Sequence, residues 1–223
     1  TLVTLTNGAT AASEGLLARA GVRGEFDRLL SVEQAGAAAQ RALGASDMQG
    51  VRVAIQGLGS VGGRLAQMLA TDGAVLTVAD VDAARAQRFA DQHGATVVAP
   101  DAVLTSEVDI VSPNALGAIL DAATIDALRC KAIAGGANNQ LATHADGTRL
   151  HERGILYAPD YVINAGGIIN VALEYLGQGD RAEVDARIGQ IPERLVEVWD
   201  EAGRTGASHA EVADRIAQRR IGR

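Results

Sequence analysis

Short runs of β-branched and aliphatic residues, each cut off by glycine or a polar cluster, alternate with longer stretches whose apolar positions recur at helical spacing. Val51, Val53, Ala54 and Ile55 make the sharpest such run, too short for a helix and stopped by Gly57. Behind it Val61, Leu65, Ala66 and Leu69 share one helical face. The pattern then repeats. Val75 to Ala79 reads as a strand, Ala83 to His93 as a helix ended by Gly94, and Thr96 to Val98 and Val108 to Val111 as further strands. Ile119 to Leu128 reads as a helix, Lys131 to Ala134 as a strand, Thr148 to Arg153 as a short helix and Ile155 to Tyr157 as a strand. Upstream, LVTLT, Asn7-Gly8 and an amphipathic stretch to Ala20 read as a βα unit, followed by an Ala-rich helix from Val32 to Leu43. From Asn170 the pattern is helical to Leu176, then from Ala182 to Ala202 and from His209 to Arg220. Ile188, Ile191, Leu195, Val198 and Trp199 form a stripe that needs a partner surface, and Pro192 kinks or splits the helix that carries it. Strands alternating with helices predict an α/β fold with a doubly wound, mostly parallel sheet.

The first strand is followed by Gly57, Gly59 and Gly62, a G-x-G-x-x-G that opens the next helix. The three glycines serve different ends. Gly57 permits a tight turn, Gly59 brings backbone close to a pyrophosphate, and Gly62 lets the helix pack on its strand. The phosphates would sit on free N–H groups at the helix start, at Ser60, Val61 and Gly62. The second strand ends in Asp80, 23 positions after Gly57, where a carboxylate binds an adenosine ribose, with Val81 beside it. Asp80 favours NAD over NADP because a 2′-phosphate would face a negative charge, and Asp82 strengthens that exclusion. The motif alone is weak in a chain with 26 glycines, but strand, helix, second strand and acid are in register. A plain glycine turn, with Asp80 capping the next helix, is the bland alternative.

The expected architecture is therefore a Rossmann-type sheet with an N-terminal βα extension and C-terminal helices. Residues 1–44 form the extension and connecting helix, 45–167 the NAD-binding domain and 168–223 a helical appendage. Later strands end in polar clusters: Ser112-Pro113-Asn114 with Ala115, then Asn138-Asn139-Gln140, then Asn164. Open α/β sheets bind ligands at that edge. Buried amides there need backbone or ligand partners, and the three clusters together look like a nicotinamide site.

Composition removes other classes. A net charge of −7 and 3% aromatic residues argue against a nucleic-acid partner. No run is long enough to span a membrane and no basic-then-apolar signal opens the chain, so a cytoplasmic location is expected. The single cysteine, Cys130, fits a reducing compartment and reads as a small buried hydrophobe. Of 20 basic residues 19 are arginine, and Lys131 is the one lysine. Any mechanism that needs two lysines is impossible within this chain.

Five blocks in order, VAIQGLGSVG, PNALGA, AIAGGANNQL, ILYAPDYVINAGGIINV and HAEVADRIAQRRI, resemble the cofactor-binding half of the leucine, phenylalanine and valine dehydrogenases. Asn114 stands where those enzymes usually carry cysteine. The resemblance, over roughly residues 35–223, implies oxidative deamination of a branched-chain or aromatic L-amino acid with NAD. It implies that Gly57, Gly59 and Gly62 hold the pyrophosphate, Asp80 the ribose, Ala115 and Asn138 the nicotinamide end, and Asn164 the carboxamide. Asp160 would be a structural carboxylate. The family's catalytic lysines and aspartate belong to a separate domain that this sequence lacks. No catalytic residue and no metal ligand is assigned, and complete turnover by this chain alone is not expected.

Residues 1–36 resemble instead a fragment of the haloacid dehalogenase superfamily, with Thr6 and Asn7 at its group-binding positions. The whole then looks like a hybrid joined near Ala35. Two alternatives stay open: a cofactor-free hybrid or engineered scaffold, and the NAD-binding subunit of a split dehydrogenase docking through the Leu195/Trp199 stripe. A homodimer is also open.

Overall fold

The computed structural model describes residues 32–176 and 180–222, and the statements that follow concern those residues. The βα unit expected upstream, with Thr6 and Asn7, lies outside them. Six strands form one parallel sheet: β1 Arg52–Gln56, β2 Val75–Ala79, β3 Thr96–Val97, β4 Ile110–Pro113, β5 Ala132–Ile133 and β6 Leu156–Tyr157. Their order, β3-β2-β1-β4-β5-β6, reverses between β1 and β4. This is the doubly wound Rossmann-type sheet that the alternation of elements predicts.

Period-2 alternation sends side chains to opposite faces. Val53, Ile55, Leu76, Val78, Ile110 and Ala132 enter one core, while Ala54, Ala79, Val111, Ile133 and Tyr157 enter the other. The first core is covered by α1 (Val32–Leu43) and α2 (Ser60–Thr71) and by two later helices, α9 (Ile191–Thr205) and α10 (His209–Arg220). Helix α2 inserts Leu65, Ala66 and Leu69, all fully buried. A buried leucine of this kind contributes about 1.5–3 kcal/mol. Helix α1 presents Ala35, Ala38 and Ala39, whose small side chains let it lie close. The other face holds α4 (Ala122–Ala127) and α5 (His144–Glu152).

Several boundaries differ from the sequence expectation for local reasons. Helix α5 begins at His144 because the Thr143 N–H and hydroxyl donate to the Asp146 carboxylate at 2.9 and 2.7 Å. Helix α4 starts only at Ala122, since the Asp121 carboxylate accepts the Thr124 N–H at 2.8 Å and Leu120 bridges to Leu141 as extended chain. Strand β4 continues through Pro113, its last residue, and the Asn114 N–H beyond it still donates to the Gln56 carbonyl at 2.8 Å. Pro192 splits the expected long helix into α8 (Arg181–Ile188) and α9, and sits in the first turn of α9, where a missing N–H breaks no helical bond.

The stripe on α9 finds its surface inside the molecule. Leu195, Val198 and Trp199 are buried, and the Trp199 indole N–H donates to the Tyr157 carbonyl at 3.0 Å. It is therefore not a docking face for another subunit. Cys130 is buried as expected, and burial pushes its thiol up to about 11. No helix of the described residues is long and apolar enough to cross a membrane.

Candidate functional site

The C-terminal edge of the sheet collects the glycine motif after β1, Asp80 and Val81 after β2, Pro113 and Ala115 at the end of β4, Asn138 after β5 and Asn164 after the short helix that follows β6. Gly57 turns the chain out of β1 with a φ of +88°, and a methyl group on it would stand 2.9 Å from the Ala115 Cβ. On Gly62 a methyl would stand 2.0 Å from the Gly57 carbonyl oxygen and 2.9 Å from the Asn114 Cβ. The loops after β1 and β4 are thus in contact through positions where only glycine fits. Gly59 differs: it is exposed, and a methyl there would meet nothing within 4 Å. It is also the N-cap of α2, and no side chain caps that end. The first N–H groups of an α-helix, here at Ser60, Val61 and Gly62, have no acceptor within the helix itself, and no side chain caps them among the described residues.

Asp80 closes the other side of the loop. Its Oδ2 accepts the Leu58 N–H at 2.7 Å and its Oδ1 the Asp82 N–H at 2.8 Å, so one carboxylate joins the glycine turn to the end of β2. Burial works against its ionisation, but those N–H groups and the nearby Arg85 guanidinium together hold it below the ordinary carboxylate range. Val81, next in the chain, is 92% exposed, an apolar side chain standing free beside a buried acid.

On the far side of the reversal point, Asn114 laces β4 to the β5 end. Its amide donates to the Ser112 carbonyl at 2.9 Å and its oxygen accepts the Gly136 N–H at 2.9 Å. Asn164, following the short helix α6 (Asp160–Ile163), donates to the Asn138 side-chain oxygen and, at 3.4 Å, to the Gly136 carbonyl. Asp160 is buried. Its carboxylate accepts the Asn139 N–H at 2.6 Å and the Tyr157 hydroxyl at 2.9 Å, and Asn139 has a φ of +52°. Asp160 therefore holds the Asn138-Asn139 turn in shape, the structural role expected of it. Gln140 donates its amide N–H groups to the Gly135 and Ala137 carbonyls at 2.8 and 2.9 Å, while its Oε1 is buried without a hydrogen-bond partner among the described residues.

Asn114 and Gln140 were legible as polar residues at strand ends, but their bonding roles were not. Gln56 was missed. It is the last residue of β1, and its Oε1 is buried without a hydrogen-bond partner. Lys131 is exposed and precedes β5, at the opposite edge of the sheet from this site.

The edge thus offers uncapped N–H groups for an anion, a carboxylate for hydroxyls, an apolar face, and amides suited to a carboxamide. A parallel sheet ordered β3-β2-β1-β4-β5-β6, reversing between β1 and β4, defines the doubly wound Rossmann-type class of α/β domains. The family model described as Glutamate/Leucine/Phenylalanine/Valine dehydrogenase matches residues 83–223, and the chain belongs to that family. Leucine dehydrogenase of Thermoactinomyces intermedius is 44% identical over 185 residues, covering 83% of this chain and 50% of that one. L-tryptophan dehydrogenase of Nostoc punctiforme is 43% identical over 175 residues, covering 78% and 49%. The crystal structure of the Nostoc punctiforme L-tryptophan dehydrogenase superposes with a TM-score of 0.85 at 36% identity, over 96% of this chain and 64% of that one. A hetero-hexameric glutamate dehydrogenase from Thermus thermophilus superposes with a TM-score of 0.68 at 25% identity, over 88% and 51%. The chain spans about half the length of the relatives it matches in sequence.

Proposed function

We propose that this chain is the NAD-binding part of an amino-acid dehydrogenase acting on a branched-chain or aromatic L-amino acid. The observation that carries the reading is the continuous run of contacts along one sheet edge, from Asp80 through Leu58 and the glycine turn to Asn114, Gly136, Asn164 and Asn138.

The residues fit the cofactor. The open space over Gly59 and the uncapped start of α2 suit a pyrophosphate, which the N–H groups of Ser60, Val61 and Gly62 would hold. Asp80 would take the adenosine ribose and Val81 would lie against the adenine. Pro113 and Ala115 would line the nicotinamide end. Asn138 and Asn164, already paired, would orient the carboxamide, and Asn138 would also reach the substrate. When bound, NAD supplies the hydride acceptor for oxidation of the amino acid's α-carbon. The residues of this edge bind and orient; none of them is assigned a proton transfer.

Calorimetric titration with NADH tests the reading. Saturable binding by the chain, weakened in Asp80→Ala, is the expected result. Failure of the folded chain to bind NADH would sink it in favour of a fold that has lost its cofactor.

A further inference from the structure

Asp80 is the group that a ribose would meet, yet its acceptor capacity is already filled within the chain. Besides the Leu58 and Asp82 N–H groups, Arg85 Nη1 lies 3.2 Å from both carboxylate oxygens. Two carboxylate oxygens hold about four lone-pair sites, and four hydrogen bonds occupy them. The two backbone donors belong to the turns themselves and cannot withdraw without dismantling them. Arg85 can: its side chain is 46% exposed, against 5% for that of Asp80. A ribose hydroxyl therefore reaches Asp80 only by displacing Arg85.

The displaced guanidinium stays close. Asp82 Oδ2 lies 3.6 Å from Arg85 Nη2, and Asp82 is itself fixed as N-cap of α3 (Ala83–His93), accepting the Arg85 N–H at 3.0 Å. A cation thus stands beside the ribose site, between two carboxylates.

We propose that Arg85 is a specificity-determining residue of this site: it competes with the ribose hydroxyls of NAD for Asp80 and offers its guanidinium to the 2′-phosphate of NADP. It thereby narrows the discrimination that Asp80 and Asp82 alone would impose. The inference rests on the dinucleotide reading given above. A guanidinium matches phosphate oxygens through paired, charge-assisted N–H bonds. A 2′-hydroxyl, by contrast, must first break the Arg85 bonds to Asp80. Both effects move the ratio of affinities in the same direction.

The test is calorimetric titration of the full chain, of Arg85→Ala and of Arg85→Lys with NADH and NADPH, after melting curves establish that each variant is folded. The parent chain binds both dinucleotides. Arg85→Ala weakens NADPH about tenfold or more while NADH binding tightens, and Arg85→Lys retains part of the NADPH affinity. Raising the salt concentration weakens NADPH relative to NADH in the parent chain, because the guanidinium is exposed, and this measurement holds even where a variant folds poorly. Parent protein that binds NADH but not NADPH, or an affinity ratio indifferent to Arg85→Ala, overturns the role of Arg85 and leaves the cofactor site standing. Failure to bind either dinucleotide overturns both.

Discussion

The carbonyl oxygen of Gly57 lies where a methyl group on Gly62 would stand 2.0 Å away, whereas a methyl on Gly59 would meet nothing within 4 Å. Three glycines of one motif thus do different physical work, and they can be separated by experiment. Gly62→Ala forces the loop after β1 off the start of α2. Overpacking of this kind costs about 1–3 kcal/mol, and NADH binding falls with it. Gly59→Ala costs only about 0.5–1 kcal/mol, the loss of a favourable N-cap residue, because its φ of −66° suits alanine and the space is open. It nonetheless weakens NADH binding, since the methyl occupies the approach proposed for the pyrophosphate. Urea denaturation alongside calorimetry distinguishes the two; a Gly59→Ala protein that binds NADH normally would move the phosphate elsewhere.

Asn164 and Asn138 share a side-chain hydrogen bond at the end of the edge proposed for the nicotinamide, and Asn164→Ala removes the donor. The variant is expected to weaken NADH while leaving ADP-ribose, which lacks the nicotinamide, within about twofold of the parent, a difference under about 0.5 kcal/mol. Equal losses for both ligands would mean that Asn164 supports the edge as a whole.

The hydrogen bond from Trp199 to Tyr157 ties α9 to the sheet in a buried setting. Trp199→Phe leaves the Tyr157 carbonyl without that donor and costs about 1–3 kcal/mol, and Trp199→Ala costs about 3–5 kcal/mol. The melting temperature falls by about 2–4 °C per kcal/mol for a chain of this size. NADH affinity of the folded Phe variant is unchanged, because the lost bond is to the Tyr157 carbonyl and the Tyr157 hydroxyl keeps its bond to Asp160 at the edge.

His209 gives the chain a pH dependence. Burial, together with His151 and Arg41, lowers it from 6.5 to about 4, and its Nδ1 accepts the Tyr157 N–H at 3.4 Å. With them it lines a cavity of about 460 Å³ that also holds Lys131. Above pH 6.5 the imidazole is neutral in folded and unfolded chains, and it contributes no slope. Between about 6.5 and 4 the unfolded chain takes up a proton that the folded one refuses, so stability falls as the pH falls. Melting temperatures measured from about pH 7 to about pH 4.5 decline in the parent and less steeply in His209→Gln. Parallel curves would show that His209 takes up its proton alike in the folded and the unfolded chain.

Much of this was legible from residue order because it depends on short-range spacing. The β-branched runs, the glycine motif and Asp80 at its distance from Gly57 are set within one strand–helix–strand unit, where chain length alone brings them together. The later strand ends with Asn138 and Asn164 were legible for the same reason, since parallel strands with intervening helices place all their C-terminal ends on one edge. Boundaries moved where one side chain decided them, as Asp146 did for α5 and Pro192 for the break before α9.

What only the tertiary structure decided are pairings between residues far apart in sequence. Trp199 buries against Tyr157, Asp160 shapes the turn at Asn139, and Asn114 bonds to Gly136. Hydrophobic periodicity showed that the α9 stripe needed a surface but not whose surface, because burial is rewarded equally against the same chain or another. The sequence likewise placed two acids, Asp80 and Asp82, at the proposed ribose site, with nothing in residue order to show a cation between them. The fold set Arg85 between them, since the helix that begins at Ala83 turns its third residue back over the strand end.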